Sequence, residues 1–389
     1  MMTNLVTFDD KKKIILKFLL LIWIFSIPFK NAIYQASVIL LVIFFIVDIF
    51  QSRRFDILLE NLKKTKLLAL SFFLIIFSMI LANLLNLDYL DKKSWHLIYM
   101  FSIRYALVFF ILAYYYKIGY FLKGDFIKAV YLSFIFVGLT GIFSLISSPE
   151  VISGEGLQGT LDNRNAFGLF MGMGFVLSLL LFEKNKKLSF ILMLTFASLM
   201  FFTFSRSSWV GSLMASLVLF SVNFKKVKIQ HIAYLGIFLI FIVIFYFTFE
   251  SIQHRVAQLL AGDSSGRLSI WTHTLALIKD NPYFGHGLET WMNLSDPYLK
   301  QFPDPHNMVL EILLYTGILG LISVFIAIFS VLFEIYKQQN YKLFAIATYF
   351  LVVTQFDFGA FGSKELLSFL TIFVFFVYLE KFKPIQTVT

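Results

Sequence analysis

Arg206 stands in Phe-Ser-Arg-Ser-Ser between two apolar runs. A guanidinium there could hold a phosphate bidentately, helped by Ser205, Ser207, Ser208 and the free amides of the next helix start. The same placement also suits an Arg reaching to a membrane interface. Arg267 follows Gly262-Asp263-Ser264-Ser265-Gly266 and opens a helical stretch. That arrangement suits an anion at a helix N-terminus, and it equally describes an exposed turn. His306 lies in Pro303-Asp304-Pro305-His306-Asn307, just where an apolar run begins. With an ordinary pKa of about 6.5, an imidazole can accept a proton near neutrality, so general-base work and helix capping both remain open for it. Glu311, five residues on, could orient His306 or pair with an Arg. Asp357 and Arg104 both fall inside apolar runs and read together as a structural ion pair, since charges at such depth are expensive unless paired.

Other chemistries are missing. No cysteine occurs, which removes a disulfide framework, a thiolate nucleophile and Cys-based metal sites. The loop histidines, His254, His273, His286 and His306, are 19, 13 and 20 residues apart, and no HExxH is present, so no zinc site is expected. An Asp-x-Asp pair that could hold a divalent cation on a pyrophosphate is absent, as are a P-loop and a GxSxG elbow. Arginines are then the natural charge neutralisers for a pyrophosphate, with no metal or other cofactor.

The elements that must position these residues are membrane helices. The 389-residue chain is 59% hydrophobic and 19% aromatic, with 14% charged residues, against about 25% in a soluble domain. A span needs roughly 20 apolar residues. On that basis twelve are expected, at about 14–29, 32–50, 67–86, 97–116, 126–147, 166–182, 189–204, 208–223, 231–249, 308–334, 343–360 and 365–380. The first reads as an uncleaved helix, since no small-residue cleavage site follows it. Segments on the N-terminal side carry 20 Lys and Arg and the opposite segments 10, which places both termini in the cytoplasm. The net charge of +10 is thereby an orientation signal, and no nucleic-acid partner is expected.

The fold expected is all-α: one polytopic transmembrane bundle over 1–389, with a large, partly helical external loop at 250–307. That loop holds four of the seven Pro, four of the six His and two of the five Trp. Its aromatic content argues for a folded cap. Within it Leu268, Trp271, Leu275 and Ile278 recur at helical spacing, Asn281-Pro282 ends the helix, and Gly285 and Gly287 give a tight turn.

Three ordered segments resemble the O-antigen ligase/polymerase family of bacterial envelope glycosyltransferases. They are Phe204-Ser-Arg-Ser-Ser-Trp-Val-Gly211, then Ser265-Gly-Arg-Leu-Ser-Ile-Trp271 running into Asn281-Pro-Tyr-Phe-Gly-His-Gly287, then His306-Asn-Met-Val-Leu-Glu311 followed by Gly317 and Gly320. The resemblance covers roughly 155–325, starting near Gly159-Thr-Leu-Asp-Asn-Arg-Asn-Ala-Phe-Gly168. It implies a GT-C-like architecture in the bacterial inner membrane with a periplasmic site. The donor would be an undecaprenyl-diphosphate-linked glycan and the acceptor lipid A–core, with membrane lipids as the surroundings. Arg206, Arg267 and His306 match the family's functional positions, and Ser207, Arg164 and Glu311 join them as substrate-binding candidates. The implied reaction is metal-independent and inverting, in lipopolysaccharide synthesis.

A polymerase of the same family uses the same donor with a growing glycan as acceptor, and a protein O-oligosaccharyltransferase is the next reading. Twelve spans with cytoplasmic termini also describe a secondary transporter, but related halves are not evident and the long loop sits off-centre, between spans nine and ten.

Overall fold

The computed structural model describes residues 8–29, 31–89, 92–152, 156–161, 163–223, 229–262, 266–297, 299–302, 304–359 and 361–384. Asp162, Asp263, Ser264, Ser265 and Pro303, all part of segments singled out above, lie outside the described residues. Among the described residues the regular structure is entirely helical. In chain order the helices are α1 (Phe8–Ser26), α2 (Asn31–Ser52), α3 (Phe55–Lys64), α4 (Lys66–Leu85), α5 (Lys92–Met100), α6 (Val108–Lys117), α7 (Lys123–Ser147), α8 (Arg164–Leu181) and α9 (Lys186–Phe202). There follow α10 (Arg206–Asn223), α11 (Ile229–Thr248), α12 (Glu250–Leu260), α13 (Arg267–Asp280), α14 (Trp291–Leu294), α15 (Met308–Lys337), α16 (Tyr341–Val353) and α17 (Lys364–Tyr378). A π-helical segment, Phe101–Leu107, joins α5 to α6.

Each of the twelve expected spans overlaps a helix, but their lengths differ. Among the described residues six helices are long and apolar enough to cross a membrane: α2, α4, Lys92–Lys117, α7, α8 and α15. A seventh is reached if the bent pair Tyr234–Thr248 and Glu250–Leu260, which turns by 101°, counts as one. Their outer faces carry large apolar side chains in the open, among them Phe73, Phe143, Ile146 and Phe247, which suits a hydrocarbon solvent and not water. Inside, aromatic rings fill the gaps between helices: Phe369 stacks on Phe134 with centroids 5.0 Å apart and meets Phe170 edge-on at 4.5 Å.

The short helices are informative. α9 has 17 residues, α16 has 13 and α17 has 15, all less than a full crossing. The irregular backbone that follows or precedes them is buried: Thr203, Phe204 and Ser205 on one side, Thr354, Asp357, Phe358 and Phe361 on the other. Non-helical backbone at this depth is tolerated only where protein covers it or where it lines a cavity. These breaks meet at one end of the bundle, where Ser205 and Ser207 donate to Asp357.

The 250–307 segment folds over that end. Its buried stripe on α13 is Ile270, Thr274 and Ile278, with Trp271 partly covered. This corrects the expected stripe, because Leu268 and Leu275 are largely exposed. Residues 282–287 then plug a break in α15. Gly317 adopts φ 64° and ψ −163° there, a region open essentially to glycine. The plug supplies the backbone partners that the break removes: His286 N donates to Leu314 O at 2.8 Å, Gly287 N to Tyr315 O at 3.0 Å, and Ile318 N to Pro282 O at 2.9 Å. Asn83 of α4 accepts from Leu288 N at 2.9 Å, and Asn86 donates to Gly285 O at 3.1 Å. The tight turn at Gly285 and Gly287 is present, both at positive φ.

Candidate active site

Three helix N-termini converge on one carboxylate. Asn163 caps α8, its side chain accepting from Asn165 N at 2.8 Å and Ala166 N at 3.2 Å. Arg164 and Asn165 thus open that helix, and Asn165 Nδ2 reaches Asp357 Oδ1 at 3.3 Å. At the start of α10, Phe204 takes a left-handed conformation, φ 56°, and Thr203 Oγ1 accepts from Ser205 N at 3.1 Å. That turn aims Ser205 and Ser207 at Asp357, where both hydroxyls donate to Oδ2, Ser205 at 3.1 Å. Gly168 lets the two helices meet, since an added Cβ would lie 2.7 Å from Ser205 Cβ. The third terminus is that of α13: Arg267 Nη2 lies 2.5 Å from Asp357 Oδ1, and its Nε donates to Phe356 O at 2.7 Å. Two of the five guanidinium N–H groups are so engaged, which leaves the rest of the fork for an anion.

Arg206 is buried between Ser205 and Ser207 at the same helix start. Arg164 is the first residue of α8, and its stem lies near Gly156, beside Phe204. Arg255 of α12, which sequence reasoning passed over, sets its guanidinium over the Phe204 ring at 5.5 Å. The site end is therefore rich in arginine, with Asp357 at its floor.

His306 enters from the loop's end, also in a left-handed conformation, φ 51°. Its Nδ1 lies 3.1 Å from Asp304 Oδ1, and the same oxygen accepts its backbone N–H at 2.6 Å. Burial opposes a charged imidazole here. The Asp304 carboxylate, reinforced by Asp357, outweighs that cost and the repulsion of Arg267, so the pKa is raised above the usual value. Trp271 donates to Pro305 O at 3.2 Å, Asn307 donates to Gln355 O at 3.0 Å, and Met308 N donates to Thr354 O at 2.9 Å. The histidine segment is thereby docked on the segment that carries Asp357.

Two expectations change. Asp357 pairs with Arg267 and not with Arg104, which is buried against the Tyr34 ring instead. The carboxylate beside His306 is Asp304. Glu311 is buried a turn into α15, where Phe361 N donates to it at 3.4 Å and Gly359 leaves room for it. The structure brings Arg267 and Ser207 into one cluster on Asp357, sets His306 within electrostatic reach of it, and holds Glu311 against Gly359 and Phe361. Asp357 was visible in the sequence as a charge in an apolar run; its partners were not.

Residues 188–325 match the family model described as O-antigen ligase. The match covers about a third of the chain and is a similarity to that family. It contains Ser205, Arg206, Ser207, Arg255, Arg267, Asp304, His306 and Glu311, whereas Arg164 and Asp357 lie outside it. The chain is also similar to the ComP-specific O-oligosaccharyltransferase of Acinetobacter baylyi, 27% identical over 180 residues. That stretch is 41% of this chain and 32% of the relative, so the match spans about a third of the relative's length. Both comparisons are with transferases of the glycosyltransferase kind.

Proposed function

We propose that this protein is an O-antigen ligase of the bacterial inner membrane. It moves a glycan from undecaprenyl diphosphate to a sugar hydroxyl of lipid A–core on the periplasmic face, with both termini in the cytoplasm. The observation that carries the reading is the cluster of Arg267, Ser205 and Ser207 on Asp357 beside His306, at the end of the bundle that the Lys and Arg distribution assigns to the outside.

Arg206 and Arg267 hold the pyrophosphate, with Arg164 and Ser207 at its edge. Asp357 is a positioning residue that fixes Arg267 and the α10 serines. His306 Nε2, free of the Asp304 contact on Nδ1, takes the acceptor hydroxyl's proton as that oxygen bonds to the anomeric carbon. The bond from that carbon to the pyrophosphate oxygen breaks with its electron pair, and the arginines meet the charge that grows there. One displacement inverts the anomeric centre. Glu311 braces Gly359 and Phe361. An apolar crevice of about 180 Å³ opens beside Met308, Ile312 and Thr354 and continues between α4, α15 and α17, a fitting path for a polyprenyl chain.

The named relative favours a second reading, in which the acceptor is a protein. A deletion strain separates the two. Bare lipid A–core with long glycan accumulating on undecaprenyl diphosphate supports the ligase. Core bearing one repeat unit indicates a polymerase. An unchanged lipopolysaccharide ladder with a protein losing its glycan indicates protein glycosylation and overturns the ligase reading.

A further inference from the structure

Arg104 presents a problem that the proposed reaction does not solve. It lies in the π-helical segment Phe101–Leu107, is 3% exposed, and its Nη1 has no hydrogen-bond partner. Among the described residues no carboxylate pairs with it. Its neighbour is the ring of Tyr34, 5.5 Å from guanidinium carbon to centroid. Lys364, the first residue of α17 and also buried, sets its Nζ 5.7 Å from the same centroid, donating to Phe29 O at 2.5 Å and lying 3.1 Å from Glu365. Two cations and one carboxylate thus surround one ring, leaving a positive charge uncompensated.

A buried guanidinium without a counter-ion is costly, and such a residue within a membrane protein usually meets an anion. Its planar fork matches a phosphate in two bonds. π-Helical insertions recur at functional sites, and here the insertion coincides with Arg104. The depth is marked by Trp95 and Tyr99, exposed on α5 one to three turns earlier, the placement of an interfacial aromatic belt.

We propose that Arg104 and Lys364 form a second anion site, which holds the phosphate of a membrane lipid headgroup. It is separate from the Arg206 and Arg267 site and does not depend on what that site transfers.

The test uses the full chain, purified and stripped of lipid, then offered phosphatidic acid, diacylglycerol of the same chains, or inorganic phosphate. Retained lipid is counted by native mass spectrometry. Phosphatidic acid should stay bound, diacylglycerol should not, and Arg104→Gln should weaken retention at least tenfold. Lys364→Gln should weaken it less, and it carries the test if Arg104→Gln fails to fold. Retention equal in wild type and in the folded variants would overturn the site. Equal retention of diacylglycerol would overturn the phosphate, and competition by inorganic phosphate at the lipid's own concentration would overturn the lipid source.

Discussion

Arg267 and Asp357 lie 90 positions apart in the chain, yet Nη2 and Oδ1 are 2.5 Å apart. The Asp357 side chain is 2% exposed and that of Arg267 is 18%. Removing the acid would strand a partly buried cation and free two serine hydroxyls. Asp357→Asn should therefore cost about 3 kcal/mol, at the low end for a buried pair because Arg267 keeps some solvent. Thermal unfolding in detergent checks this. Transfer should fall as well, with a weaker donor KM, because Arg267 is no longer fixed.

The raised His306 pKa fixes the sign of the pH response. A base must be neutral to act, so transfer should climb as pH rises through that pKa. Asp304→Asn removes the charge that holds the proton and should move the acid limb to lower pH. The contribution to stability runs the other way: protonated His306 stabilises the fold below its unfolded pKa, and that share is lost as pH rises through the folded value. A limb that stays in place in Asp304→Asn would contradict the pairing.

Gly317 should tolerate no side chain. A Cβ there would overlap the Tyr283 carbonyl and take a conformation that costs a non-glycine residue about 1–3 kcal/mol by itself. Gly317→Ala should destabilise by more than that and loosen the 282–287 plug. The control is Gly236 of α11, where a Cβ meets nothing within 4 Å; there alanine should be neutral or stabilising by about 0.5–1 kcal/mol. Comparing both variants' unfolding temperatures with wild type tests the interlock.

Since charge neutralisation is assigned to arginines, transfer by the purified protein should survive EDTA. Complete loss restored by Mg²⁺ or Mn²⁺ would contradict the assignment.

Much of this was legible in the sequence for physical reasons. Each apolar run located a helix, though α3, α12 and α14 lie outside every such run, and the residue types at Arg206, Arg267 and His306 marked one end of the bundle. The partner of Asp357 was not legible, because it comes from Ser207 and Arg267, 150 and 90 residues away, and no local pattern encodes which distant cation folds back. Of the expected α13 stripe Ile278 is buried and Trp271 partly covered, while Leu268 and Leu275 are exposed, because periodicity alone does not say which face meets α15. Short α16 was hidden because the apolar run continues past Val353 into buried, non-helical backbone.

The central claim is that His306 moves the proton and Arg267 the charge. It is tested most directly by single-turnover transfer with purified wild type, His306→Ala and Arg267→Ala, given undecaprenyl-diphosphate glycan and lipid A–core. Compared at a temperature where each variant is fully folded, His306→Ala should be slower by about 10²–10⁴-fold, and Arg267→Ala should lose about 3–4 kcal/mol of transition-state stabilisation. Near-wild-type turnover by either variant would contradict the role given to that residue.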